Sequence, residues 1–154
     1  MGDVALRYYQ SIAVKALEAS PSGAVVVIPT GGGKTIVIAE TVRRALGWAS
    51  NRILCLTVSA ELVKQNATTL ERHLGRRVGI FCAQLREKYL GAKVTVATVA
   101  SLINATVLPV YDMVLIDEAH HVPPAVTSAG MQYIRLMARI TAQNPAVKVV
   151  GLTA

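Results

Sequence analysis

Residues 29–35 read P-T-G-G-G-K-T. Phosphate oxygens need several donors converging on a small volume. A run of glycines lets backbone N–H groups turn inward without Cβ clashes, and a helix that follows adds its first amides and its dipole. Thr30, Gly31, Gly32 and Gly33 supply the turn. Lys34 can reach β- and γ-phosphates, and the Thr35 hydroxyl can hold Mg²⁺. The general spacing is G-x-x-x-x-G-K-[ST], and its first glycine position holds Ile28. Ile28 ends an apolar run, so a side chain directed into the core would leave the turn free.

A second chemical stretch is V-L-I-D-E-A-H-H (114–121). Asp117 and Glu118 end an apolar strand. Beside a phosphate loop, Asp117 can hold Mg²⁺ through water, opposite Thr35, and Glu118 can orient and deprotonate an attacking water. Taken alone, they would read as two solvated acids in a loop. His120 and His121 are adjacent on a turn and no third ligand is evident. His120 therefore reads as a hydrogen-bonding link between the site and its surroundings rather than as a metal ligand.

The elements that must position these residues follow from periodicity. Apolar residues at helical spacing predict a helix over 5–19, stopped at Ser20-Pro21. Strands are predicted at 24–28, 52–58, 76–82, 93–98, 111–117 and 147–153. Further helices are predicted from Lys34 to about Trp48, over 60–74 and over about 129–143. Alternating strands and helices predict an α/β fold with a mainly parallel sheet and helices on both faces. Ligands in such sheets lie beyond the carboxyl ends of the strands. No repeat or linker divides the chain, so 1–154 is expected to be one domain.

Composition agrees. The 154 residues are 53% hydrophobic, enough for a sizeable core, and only 5% aromatic. No apolar run approaches the ~18 residues of a membrane span, and the first residues lack the apolar region of a signal peptide. Leu6 stands where a myristoylation signal needs Ser or Thr. A cytoplasmic protein is expected. Cys55 and Cys82 lie in apolar runs without ligand partners and read as buried thiols. Sixteen basic residues against nine acids leave a net charge of +7, which suits a polyanion partner.

D-E-A-H at 117–120 after P-T-G-G-G-K-T resembles the DEAD/DEAH class of superfamily 2 helicases, specifically their N-terminal RecA-like ATPase domain. Four further stretches match in order. L-R-Y-Y-Q (6–10) resembles the adenine-recognising segment, which implies that Gln10 reads the adenine edge and that Arg7 lies against the base. T-V-S-A-E-L-V-K-Q (57–65) resembles motif Ia. V-A-T-V-A-S-L (96–102) resembles a strand-gripping motif. G-L-T-A (151–154) opens motif III. E-L-V-K-Q-N, G-I-F-C-A-Q-L and Q-N-P-A-V-K-V-V-G-L-T-A are most similar to RadD-like and XPB-like DNA-repair ATPases. The resemblance implies ATP and Mg²⁺ as cofactors and Lys34, Asp117 and Glu118 as the catalytic set. It implies nucleic-acid contacts at Ser59, Lys64, Asn66, Thr98 and Ser101, and coupling through His120 and Thr153.

There are departures. Ala60 stands where many relatives carry an arginine, which leaves strand contact to Ser59, helix amides, Lys64 and Asn66. The chain ends inside motif III, so the second RecA-like domain, its arginine fingers and half the nucleic-acid track are expected to be missing. DNA is favoured over RNA as the partner. Arg76, Arg77, Arg86, Lys88 and Lys93 read first as solvated positions and second as an extension of the phosphate-contacting surface. Two alternatives stand beside the DNA motor: the motor of a restriction-endonuclease subunit, and an ATP-binding switch acting through protein partners.

Overall fold

The structure of the protein, a computed structural model, describes residues 5–47 and 51–154. In chain order the elements are α1 (Tyr8–Ala19), β1 (Gly23–Val27), α2 (Lys34–Leu46), β2 (Ile53–Thr57), α3 (Ala60–Leu74), β3 (Gly79–Cys82), β4 (Glu87–Lys88), β5 (Val94–Thr98), α4 (Val99–Leu102), β6 (Met113–Asp117), α5 (Ser128–Gln143) and β7 (Lys148–Thr153). Single 3₁₀ turns follow β3 at Ala83–Leu85 and β6 at Ala119–His121.

The seven strands form one sheet in the order β1-β7-β6-β2-β5-β3-β4. All neighbours are parallel except β4, which runs antiparallel to β3. Every residue of central β2 is buried, as expected of a strand covered on both faces. One face packs against α1, α2 and α3 through Val14, Leu17, Val37, Ile38, Val63 and Leu70. The other packs against α4 and α5 through Leu54, Leu56, Val114, Leu136 and Ile140. The chain leaves β1 toward α2 on the first face and leaves β6 toward α5 on the second. A crevice opens where those connections part, at the carboxyl ends of β1 and β6.

The helix ends follow local chemistry. Ser59 caps α3, its hydroxyl accepting the amide of Leu62 at 3.3 Å, and Gly75 ends that helix in the left-handed conformation. Thr127 caps α5 by accepting the amide of Gly130, and Asn144-Pro145 stops it.

The expected elements are present, with shifted ends. The first helix begins at Tyr8 rather than residue 5, because extended Arg7 is its N-cap. The third strand begins at Gly79 rather than 76, since Arg76 and Arg77 lie in the turn after Gly75. The expected end of the second helix at Trp48 falls outside the described residues. The two-residue β4 and one-turn α4 were not expected, being too short to show a period.

Candidate nucleotide site

The glycine loop joins β1 to α2. Gly33 is the N-cap of α2 at φ 77°, and a Cβ there would lie 2.4 Å from Gln10 Nε2. A Cβ on Gly32 would lie 2.6 Å from Ile28 Cγ2 and 2.8 Å from the Pro29 carbonyl oxygen. Ile28 is only 3% exposed. Its side chain fills the core beneath the loop, so the departure at the first glycine position leaves the turn intact and instead makes glycine obligatory at 32. The turn closes through Gly32 N–H donating to the Pro29 carbonyl at 2.8 Å. Gln10 Nε2 and the Tyr9 hydroxyl both donate to the Gly32 carbonyl, each at 2.9 Å. Arg7 N–H donates to Gln10 Oε1 at 2.9 Å, and the Arg7 guanidinium donates to the Tyr9 hydroxyl at 3.1 Å. The segment before the loop is thus bonded to the loop itself.

Facing it, Asp117 ends β6 and is 5% exposed. Its Oδ2 accepts from Asn66 Nδ2 at 2.9 Å, and its Oδ1 accepts from the Glu118 amide at 2.9 Å. Glu118 has φ 54° and ψ 49°, a left-handed conformation costing a non-glycine residue roughly 1–2 kcal/mol. Strain of this kind gathers at functional sites. Here it accompanies a carboxylate that reaches back to the loop: Glu118 Oε1 pairs with the Lys34 ammonium, which also lies 3.5 Å from Asp117 Oδ1. Glu118 Oε2 is 3.4 Å from His120 Nδ1, and that nitrogen shares a 2.6 Å hydrogen bond with Thr153 Oγ1 at the end of β7. Behind Asp117 on β2, burial and then the Asp117 charge push Cys55 up to about 12, so it stays a neutral thiol.

Beside them opens a cleft of about 520 Å³, lined among others by Thr30, Gly31, Lys34, Thr35, Gln65, Glu118 and His120. Cation, amides and oxygen donors converge there. The Thr35 hydroxyl and the Asp117 carboxylate are hard oxygen donors of the kind that Mg²⁺ takes, so their chemistry fits the ion.

The other expected residues separate. Ser59, Thr98 and Ser101 stand at the carboxyl ends of β2 and β5, and Lys64 is exposed on α3. Thr98 Oγ1 donates to Ser101 Oγ, which also accepts the Ala83 amide, both at 2.9 Å. Asn66 requires a correction: it is 2% exposed and its amide is spent on Asp117, so it holds the carboxylate instead of facing a nucleic-acid strand. Its placement was legible, because Val63, Asn66, Ala67, Leu70 and Leu74 fall on one helical stripe. Arg76, Arg77 and Lys93 also depart from the strand-end face, since they precede β3 and β5 at the opposite end of the sheet. The third ligand found missing beside His120 and His121 is Glu118, whose oxygen lies within 4.8 Å of both ligand nitrogens; the Lys34 pairing already engages that carboxylate. Tyr9 and Gln65 are further site residues, and no spacing signal marked them.

A family profile described as Type III restriction enzyme, res subunit, matches residues 3–154. No curated protein gives a significant match. Among solved structures, the UvsW helicase from bacteriophage T4 superposes with TM-score 0.77 at 19% identity, over 97% of this chain and 52% of that one. The Pyrococcus furiosus Hef helicase domain superposes at 0.76 with 23% identity, over 96% and 32%. Mss116p bound to single-stranded RNA and AMP-PNP superposes at 0.74 with 15% identity, over 96% and 35%. The chain spans about half or less of the length of these structures. The chain shares its fold with these helicase structures, and it belongs to the Type III restriction enzyme res subunit family.

Proposed function

We propose that this domain is the ATP-binding half of a DNA-dependent ATPase that moves along or separates strands, completed by a second RecA-like domain of the same parent. One observation carries the reading: Lys34, at the mouth of a glycine loop, is paired with Glu118 and lies beside Asp117 across an open cleft. The loop and Lys34 bind the β- and γ-phosphates. Thr35, and Asp117 through water, would hold Mg²⁺, which would supply charge neutralisation on the phosphates. Arg7 and Gln10 stand beside the adenine. Glu118 orients the attacking water and takes its proton. His120 and Thr153 couple the acid to the end of β7.

Ser59, Lys64, Thr98 and Ser101 contact backbone phosphates, so binding is sequence-independent and falls with salt. An arginine finger from the second domain is worth ~10³–10⁵ in rate. This chain alone therefore binds Mg-nucleotide, hydrolyses it very slowly and unwinds nothing. Among the described residues no helix is long and apolar enough to cross a membrane.

The sequence similarity to RadD-like and XPB-like ATPases favours a role in DNA repair. The family description favours a second reading, the motor of a restriction subunit. The test is ATP hydrolysis by the intact parent with single- and double-stranded DNA, alongside an assay for strand cleavage. Strong stimulation supports the motor, and ATP-dependent cleavage selects the restriction reading. No stimulation by any nucleic acid would contradict both readings and leave a switch acting through protein partners.

A further inference from the structure

The excess positive charge of this chain is concentrated in one place. Between residues 71 and 93 stand Arg72, Arg76, Arg77, Arg86, Lys88 and Lys93 against only Glu71 and Glu87. That net +4 is more than half of the whole +7. Glu71 Oε1 accepts the Val78 amide at 3.1 Å. This charge runs from the end of α3 through the turn before β3 to β4 and the start of β5, toward the sheet edge opposite β1 and its glycine loop.

Cations recur from one end of the edge to the other. Arg86 lies in the turn beyond the carboxyl end of β3, next to Ala83, whose amide bonds Ser101 on the strand-end face. Lys88 pairs with Phe81 halfway along the edge. Arg76, Arg77 and Lys93 stand at the amino end. From Cys82 back to Arg77 is about five residues, or ~17 Å at ~3.3 Å per residue. At the amino end Arg76, Arg77, Tyr89, Ala92 and Lys93 line an open cleft of about 530 Å³.

Tyr89 is 54% exposed there. Its ring lies over Gly91, where an added Cβ would come within 2.7–2.9 Å of ring atoms. The loop beneath is pinned from β2: the Arg52 guanidinium donates to the carbonyls of Leu90 at 3.3 Å and Ala92 at 3.1 Å. The platform is therefore built before any ligand arrives. Charged residues on an edge strand also guard against strand-to-strand aggregation, which accounts for Glu87 and Lys88. It does not account for Arg76, Arg77 and Lys93, which lie outside the β3–β4 ladder, nor for an exposed aromatic ring held among them.

Cations along a path, with an aromatic face beside them, are the chemistry that binds single-stranded nucleic acid: phosphates on the cations, an unpaired base on the ring. We propose that the β3–β4 edge is a second contact site for single-stranded nucleic acid, taking the strand from the strand-end face at Arg86 to the Tyr89 cleft. This inference rests on the reading of the domain as part of a nucleic-acid motor.

The test is fluorescence-anisotropy binding of a labelled oligothymidylate and of a duplex to the intact chain over about 50–200 mM salt, with thermal unfolding as the check on folding. Replacing three cations, Arg76→Gln, Arg77→Gln and Lys93→Gln together, is expected to weaken oligothymidylate binding at least ~10-fold. It should also lower the slope of log affinity against log salt by about 2, at ~0.7 per phosphate contact. Tyr89→Ala is expected to weaken binding ~10-fold with the slope unchanged, and Tyr89→Phe to restore it. Oligothymidylate affinity and slope unchanged in the triple variant would overturn the edge site while leaving the motor reading intact. Loss confined to the duplex would overturn it too. Wild-type protein that binds no nucleic acid would remove the motor reading itself.

Discussion

Helix α2 carries two ionic clusters, one at its N-terminus and one running from its middle into its C-terminal turn, and the two are built differently. At mid-helix Glu40 is 6% exposed and saturated from the last turn and from α3: Arg43 binds both its oxygens at 2.8 and 2.7 Å, Arg44 donates at 2.8 Å, and His73 lies at 3.1 Å. Arg44 also reaches Glu18 on α1 at 2.8 Å. The Arg43 guanidinium, followed by Arg44 and His73, holds Glu40 down at about 2 although burial pushes it up. At the N-terminus a single lysine lies between Asp117 and Glu118, beside an open cleft. A guanidinium fork locks a carboxylate in one geometry, whereas an ammonium is a point charge that can change partners. The first cluster ties three helices together. The second is an ion pair that an incoming phosphate can break. On the proposed reading, saturation, and not the mere presence of buried charge, separates the structural ions of this molecule from those that meet the nucleotide.

Breaking the N-terminal cluster should have the largest effect. In the intact parent, Glu118→Gln is expected to lower single-turnover ATP hydrolysis by ~10²–10⁴ while nucleotide binding persists. Hydrolysis at the wild-type rate would show that Glu118 is not the base. Lys34→Ala should cost ~10–100-fold in nucleotide affinity, the loss of a charge-assisted hydrogen bond to phosphate. Unchanged affinity by fluorescent-nucleotide titration would remove the phosphate-binding role. Asn66→Ala sharpens the contrast further. It leaves the acids in place but frees Asp117, and should raise the Mg²⁺ needed for half-maximal hydrolysis ~10-fold, as support residues behind metal ligands do. A shift in oligonucleotide affinity with Mg²⁺ dependence intact would return Asn66 to the strand.

The C-terminal cluster should respond in the opposite way. Glu40→Gln is expected to leave nucleotide affinity unchanged and to destabilise the fold by about 3 kcal/mol. Because the folded value of Glu40 is depressed, its contribution is complete above the ordinary value of 4.5 and is lost as pH falls from there toward about 2. Thermal unfolding of the wild type should therefore decline more steeply than that of the variant over that window. Parallel curves would mean the cluster adds nothing to stability.

The extent to which all this was legible in the sequence depends on range. β2 and β6 were plain because apolar runs of that length need cover on both faces. The glycine loop was plain because its chemistry lies in neighbouring residues. β4 was hidden, since Glu87-Lys88 has no pattern and exists only by pairing with β3. Asn66 shows the division most sharply. Its place on the inner stripe of α3 was readable from spacing, but its partner lies 51 residues away and comes to it only when β6 enters the sheet beside β2. The same holds for the His120–Thr153 bond and for Arg76 and Lys93, whose meeting at one end of the sheet depends on strand order.

The claim that matters most is that Lys34 is held by acids it must leave. Calorimetric titration of this chain with Mg-ATP, wild type against Glu118→Gln, tests it directly. One site per chain is expected, with tighter binding in Glu118→Gln because the lysine no longer has to be drawn from an ionised partner. Equal affinities, or weaker binding in the variant, would contradict it.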